Sequence, residues 1–206
     1  MRRKPCMTFA LLVVLIVTIP VSASVITVPG DQPTIQAGIN AAVDGDILLV
    51  ADGAYYENIN FNGKAITVAS YFIVDGDTTH INNTIIDGSK PSHADSGSVV
   101  FFVSGEDTTS VLCGFTITGG TGTETTEAAN GIITPCRAGG GVFCYDAVAR
   151  IINNKIINNT VNSLDKEVLG GGLIALPFGS NALIVLKDNQ ISRNTIKTTT
   201  GAAFGG

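Results

Sequence analysis

The chain has 206 residues, with twelve Lys and Arg against seventeen Asp and Glu, a formal net charge of −5. That acidic balance excludes the basic footprint that nucleic acids and anionic membranes require. Its 24 glycines and 45% hydrophobic content suit a strand-and-turn protein and exclude a disordered one.

Residues 1–23 read as a secretory signal peptide. Arg2, Arg3 and Lys4 precede the apolar run 9–19, and Val21, Ser22 and Ala23 form a small-residue cleavage site. The apolar run is short for a membrane span, which sets cleavage against the alternative of a retained anchor. Cleavage removes three basic residues and no acidic one, deepening the net charge to −8. The expectation is a mature chain that is secreted, surface-bound or periplasmic, with no membrane span.

Residues 24–46 read as a strand and a capping helix. Val25 to Val28 form a short strand closed by Pro29 and Gly30. Ile35, Ile39 and Val43 then recur every four residues on one face of a helix over 33–43, with Asp31 or Thr34 at its start. Such a helix covers the open end of a core. Residues 47–206 follow as short β-branched strands broken by Gly, Asn and Asp. Within them, 75–83 and 89–97 are polar loops and 121–137 is a long insertion expected to project from one face.

A repeat organises the second half. Gly139-Gly140-Gly141 returns as Gly170-Gly171-Gly172, and Asn154-Lys155-Ile156 returns as Asn189-Gln190-Ile191. A period of this length marks a solenoid, in which each unit buries its apolar face against its neighbours. The Asn and Asp pairs at the bends suit left-handed backbone, and stacked asparagines such as Asn154 and Asn189 can ladder between units. Gly114 stands where the later unit has Asn153. Phe204-Gly205-Gly206 resembles the start of a further unit, so the expectation is the N-terminal part of a longer protein.

Cys113, Cys136 and Cys144 remain after processing. Export permits a disulfide, Cys136 with Cys144 being the easier pair, while the odd count leaves at least one buried thiol. His80 and His93 lack zinc-ligand spacing to these cysteines.

The run 34–46 with 50–59, the segment 114–120 and the Asn-x-Ile units together resemble the pectin-lyase-like superfamily of bacterial right-handed parallel β-helix proteins. The resemblance implies an all-β, right-handed parallel β-helix with a short N-terminal capping helix. Its members include polysaccharide lyases and hydrolases, epimerases and surface proteins with no known reaction. No catalytic motif of that family carries over residue by residue, and Asp146 is the only charged residue on the Gly-block strands.

Candidate sites are few. Tyr55 and Tyr56, with Tyr71, offer ring faces to sugars, with half-buried packing as the plainer reading. Asp146 is a substrate-contact candidate on its strand. Asp44, Asp46, Asp75 and Asp77 carry oxygen ligands for Ca²⁺ or ordinary turn chemistry. Asp87, Asp95, Glu106 and Asp107 read as solvated loop charges, and His93 as an acid–base candidate without a partner. The leading expectation is a non-catalytic extracellular or surface module that contacts carbohydrate. The alternatives are a polysaccharide lyase or glycoside hydrolase with active units beyond residue 206, and a structural stalk or adhesin segment.

Overall fold

The computed structural model describes residues 23–129, 132–176, 184–199 and 201–205. The proposed signal peptide lies almost wholly outside them, as do Pro177, Leu183 and Gly206. Among the described residues, no helix is long and apolar enough to cross a membrane.

Strands here are two to four residues long outside one hairpin, because left-handed residues interrupt them. Gly114, Asn153 and Asp188 have φ of 84°, 56° and 54°. They stand one above another, since the preceding residues Cys113, Ile152 and Lys187 are paired in register. A second column, Gly119, Asn158 and Arg193, has φ of 75°, 56° and 58°. Left-handed backbone is cheap for Gly and tolerable for Asn and Asp, which explains most of these choices.

The residue after each bend bridges the layers. The Asn154 side-chain oxygen accepts from the Phe115 amide at 2.9 Å, and its nitrogen donates to the Leu112 and Ile152 carbonyls at 3.0 and 2.9 Å. The Asn154 amide in turn donates to the side-chain oxygen of Asn189 at 2.9 Å. Asn159 repeats the pattern with Gly120, Ile117, Ile157 and Asn194. Asn154 and Asn159 are both buried, so these bonds satisfy backbone groups that water cannot reach.

The bends fold the chain onto three stacked parallel sheets, beside which the described residues also form a mixed five-stranded sheet that includes the hairpin and a two-stranded one. The first sheet stacks Val25–Val28, Ile47–Val50, Thr67–Ser70, Val111–Cys113, Ala149–Ile152 and Ile184–Lys187, all parallel. A second stacks Gly53–Tyr55, Thr84–Asp87, Thr116–Thr118, Lys155–Ile157 and Gln190–Ser192. The third stacks Ile59–Asn60, Val100–Phe102, Val142–Tyr145 and Leu173–Leu176. Between them lies one core including Leu48, Val68, Leu112 and Ile151 from the first sheet, Ile86, Ile117 and Ile156 from the second, and Phe102 and Val142 from the third. The chain is thus mostly β, with stacked parallel sheets compatible with a β-helix-like solenoid.

The helix spans Ile35–Ala41 and buries Ile35, Gly38 and Ile39 over the core. A Cβ on Gly38 would fall 2.4 Å from a Leu48 methyl, so a larger residue there would displace the buried Leu48 side chain or the helix. Glu57 accepts from the Ile35 and Gln36 amides at one end, and the Lys64 ammonium contacts the Ile39, Asn40 and Ala42 carbonyls at the other. These charges oppose the helix dipole at each terminus. Val43 lies past the helix and is 52% exposed, against the expectation that it extends the buried face, because the chain turns extended at Ala42.

Four other expectations are corrected. The stretch 75–83, expected as a polar loop, begins on the last residue of the short helix Phe72–Asp75 and ends in the helix Thr79–Asn83. The 121–137 insertion is an antiparallel hairpin, Gly122–Ala129 with Ile132–Ala138, whose second strand runs on parallel to Glu167–Leu169. Cys136 and Cys144 form no disulfide with each other: the three described cysteines are buried thiols, and burial, helped by the charge of Glu106, pushes the Cys144 thiol up to about 12. Glu106 is not solvated but 3% exposed, accepting from the Gly63 and Ser104 amides at 2.9 Å each.

Asn154→Ala takes the side-chain acceptor from the buried Phe115 amide, at about 1–3 kcal/mol for such a group. Urea unfolding should show that loss, while Asn162→Ala at an exposed position should stay within about 0.5 kcal/mol of the parent.

Candidate functional site

The third sheet carries a row of aromatic side chains on its outer face. Its register aligns Asn60, Phe101, Phe143 and Ile174 across four layers, and these side chains point away from the core. Phe101 meets Phe143 edge-on at 6.3 Å between ring centres, and Phe143 stacks on Tyr145 at 6.3 Å. Val103, Tyr145 and Leu176 flank this row, and Cys136, Ala138 and Leu169 from the neighbouring sheet pack on it.

The hairpin and the 89–97 loop leave part of the row open as a cleft of about 400 Å³. Asn58, Asn60, Ser92, Ser96, Phe101, Val103, Thr123 and Phe143 line it. Aromatic faces thus lie beside amides and hydroxyls, with no ionisable side chain among the described lining residues. Asn58 donates its side-chain nitrogen to Ser98 O at 2.8 Å, and Asn60 accepts from the Asn62 amide at 2.9 Å, so both amides are held in place. Thr123 is fixed by the Ser98 hydroxyl at 2.7 Å.

Arg137 secures the wall. Its guanidinium donates to the Thr121 and Ala94 carbonyls and pairs with Glu124 at 3.6 Å, while Lys166 also contacts Glu124. The Glu124 amide donates to the Asp95 carbonyl at 2.8 Å. Loop and hairpin therefore form one braced rim.

The residues singled out from sequence fall elsewhere. Tyr55 is half-buried with its hydroxyl on the Ala51 carbonyl at 2.8 Å, and burial raises its pKa. Tyr56 is 55% exposed and carries the Lys90 ammonium 4.2 Å above its ring. Asp146 is exposed in the left-handed region, its amide bonded to the Leu176 carbonyl at 3.0 Å. None of these three lines the cleft.

Asp46 is buried, and its carboxylate accepts from the Val43 amide and from both the amide and hydroxyl of Ser24, which hold its pKa below the usual value. Asp44 accepts from the Ala65 amide at 3.0 Å, and Asp77 from the Thr79 amide at 2.8 Å. Among the described residues, no three His, Cys, Asp or Glu side chains converge as a metal site. Gly114, Asn154 and Asn189 belong to the bend columns described above. His93 is exposed on the 89–97 loop.

Sequence reasoning weighed His80 only as a zinc ligand and missed its two carboxylate partners. Its Nδ1 lies 2.6 Å from Asp52 and its Nε2 3.3 Å from Asp75, with Asn83 and Thr84 also bonded to Asp52. Both ring nitrogens face carboxylates, which raises the His80 pKa above its ordinary 6.5 and lowers that of Asp52. With neither nitrogen open, the imidazole clips the 71–83 excursion to the second sheet rather than serving as a free base. The 28-residue separation of His80 and Asp52 left no local signal.

Searches against protein-family models, curated proteins and solved structures find no match to this chain.

The His80 clip sets a pH dependence. A raised histidine pKa stabilises fully below 6.5 and loses that contribution as pH rises through the folded value; the lowered Asp52 pKa adds stability above 3.8 that is lost as pH falls through its folded value. Thermal midpoints should therefore be highest between those limits and decline on either side. His80→Phe should flatten the decline on the alkaline side; an unchanged slope would show that the clip carries no such linkage.

Proposed function

We propose that the chain is an extracellular carbohydrate-binding module, built as a right-handed parallel β-helix of the pectin-lyase-like kind with an N-terminal capping helix. The observation that carries this reading is the aromatic cleft on the outer face of the third sheet. Sugar rings have apolar C–H faces that lie against aromatic rings and hydroxyl rims that exchange hydrogen bonds with amides and hydroxyls. Phe101 supplies the half-open ring, and Asn58, Asn60, Ser92, Ser96 and Thr123 supply the polar rim.

The uncharged lining favours a neutral polymer. It also favours retention over cleavage, since glycoside hydrolysis uses a pair of carboxylates about the scissile bond. A sheet that repeats layer upon layer offers a linear chain successive contacts along its length. The signal-like residues 1–23 support export.

Titration with neutral oligosaccharides, such as hexaoses of glucose, mannose and xylose, tests the reading. At least one should bind, and Phe101→Ala should weaken it by up to about tenfold, as loss of an aromatic contact implies. No new reducing ends should form, with or without Ca²⁺. Equal binding by the variant would remove the cleft from recognition, and steady release of reducing ends would move the assignment to a polysaccharide-cleaving enzyme.

A further inference from the structure

A second cleft, of about 310 Å³, lies on the outer face of the second sheet. Its floor is set by register: Thr116, Lys155 and Gln190 are paired neighbours on three successive layers, and Ile157 pairs with Ser192. Arg193 follows at the bend, its backbone left-handed at φ 58°. Asn82, on the short helix Thr79–Asn83, forms the facing wall.

That wall is anchored from several directions. Ile81 is buried and its carbonyl accepts from the Thr116 hydroxyl at 2.7 Å. His80 is held between Asp52 and Asp75, and the Asn82 side-chain oxygen takes the Lys155 ammonium. Lys155 is thereby aimed across the cleft by a neutral partner.

Two cations thus line one cleft, and among the described residues its lining holds no carboxylate. Among the described residues, neither Lys155 nor Arg193 forms an ion pair, whereas Arg137 and Lys166 share Glu124 and Lys187 meets Asp188. In a chain of net charge −5, a cleft of this sign is a local reversal of the surrounding field.

We propose that this cleft binds a carboxylate borne on a sugar or a similarly small polar unit. The planar guanidinium of Arg193 matches a carboxylate with two parallel N–H bonds, and Lys155 adds a point charge. Gln190 and Ser192 stand ready to donate to the remaining lone pairs. The site lies on a different sheet from the aromatic cleft and does not depend on it.

Calorimetric titration of the whole chain with a glucuronate-bearing trisaccharide, its neutral counterpart and inorganic sulfate tests the assignment. The acidic trisaccharide should bind, the neutral one should not bind at this cleft, and high salt should weaken the acidic one. The double variant K155Q/R193Q should lose at least about tenfold in affinity, the effect of one charge-assisted hydrogen bond. Circular dichroism should show that variant folded; if it is not, R193Q alone, at an exposed position, carries the test. Affinity unchanged in the variants, or no binding of the acidic trisaccharide, overturns the proposal. Tighter binding of sulfate than of glucuronate overturns the choice of carboxylate.

Discussion

The chain turns sharply between short strands, and the bends that lead into Asn154 and Asn159 bury backbone amides away from water. The side chains of Asn154 and Asn159 meet those groups, each accepting from an amide of the layer below and donating to carbonyls of that layer and its own. Because the same residue also donates its own amide to Asn189 or Asn194 above, the contact propagates from layer to layer. An unsatisfied buried amide costs about 1–3 kcal/mol, so a stack with bends of this tightness depends on these side chains. The left-handed residue just before each asparagine supplies the geometry that aims it.

Once the bends are fixed, register follows, and with it the character of each outer surface. A one-residue slip would exchange inward and outward side chains, so the core of Leu112, Ile117 and Ile151 locks the outward rows as firmly as the inward ones. The third sheet then presents Phe101 and Phe143 together, and the second presents Lys155 beside Gln190. Excursions from the stack, the hairpin on one side and the 71–83 helices on another, convert flat sheet faces into clefts. Both walls are braced by charge: Arg137 with Glu124 in one case, His80 with Asp52 and Asp75 in the other.

Local chemistry makes some of this legible in the sequence. Gly114, Asn153 and Asp188 announce left-handed bends because few residues tolerate such angles, and the recurring β-branched pairs announce short buried strands. Arg193 does the same work without any such signature, held by its neighbours in the column. The hairpin was hidden because its Thr- and Glu-rich first strand reads as a solvated insertion. Both clefts were illegible for a different reason: Phe101 and Phe143, or Asn82 and Lys155, come together only through inter-layer register. The unbroken apolar runs around Phe101 and Phe143 were the one available hint, since a strand apolar on both faces must have something on its outer side.

Native-state amide hydrogen exchange at Phe115, Gly120, Asn154 and Asn159 tests the dependence on the asparagine bridges most directly. If the bridges hold the layers together, these four amides exchange only through global unfolding and rank with the most protected sites in the chain. Exchange as fast as that of exposed loop amides, such as those of Ser92 and His93, would contradict the account and leave core packing alone to hold the stack.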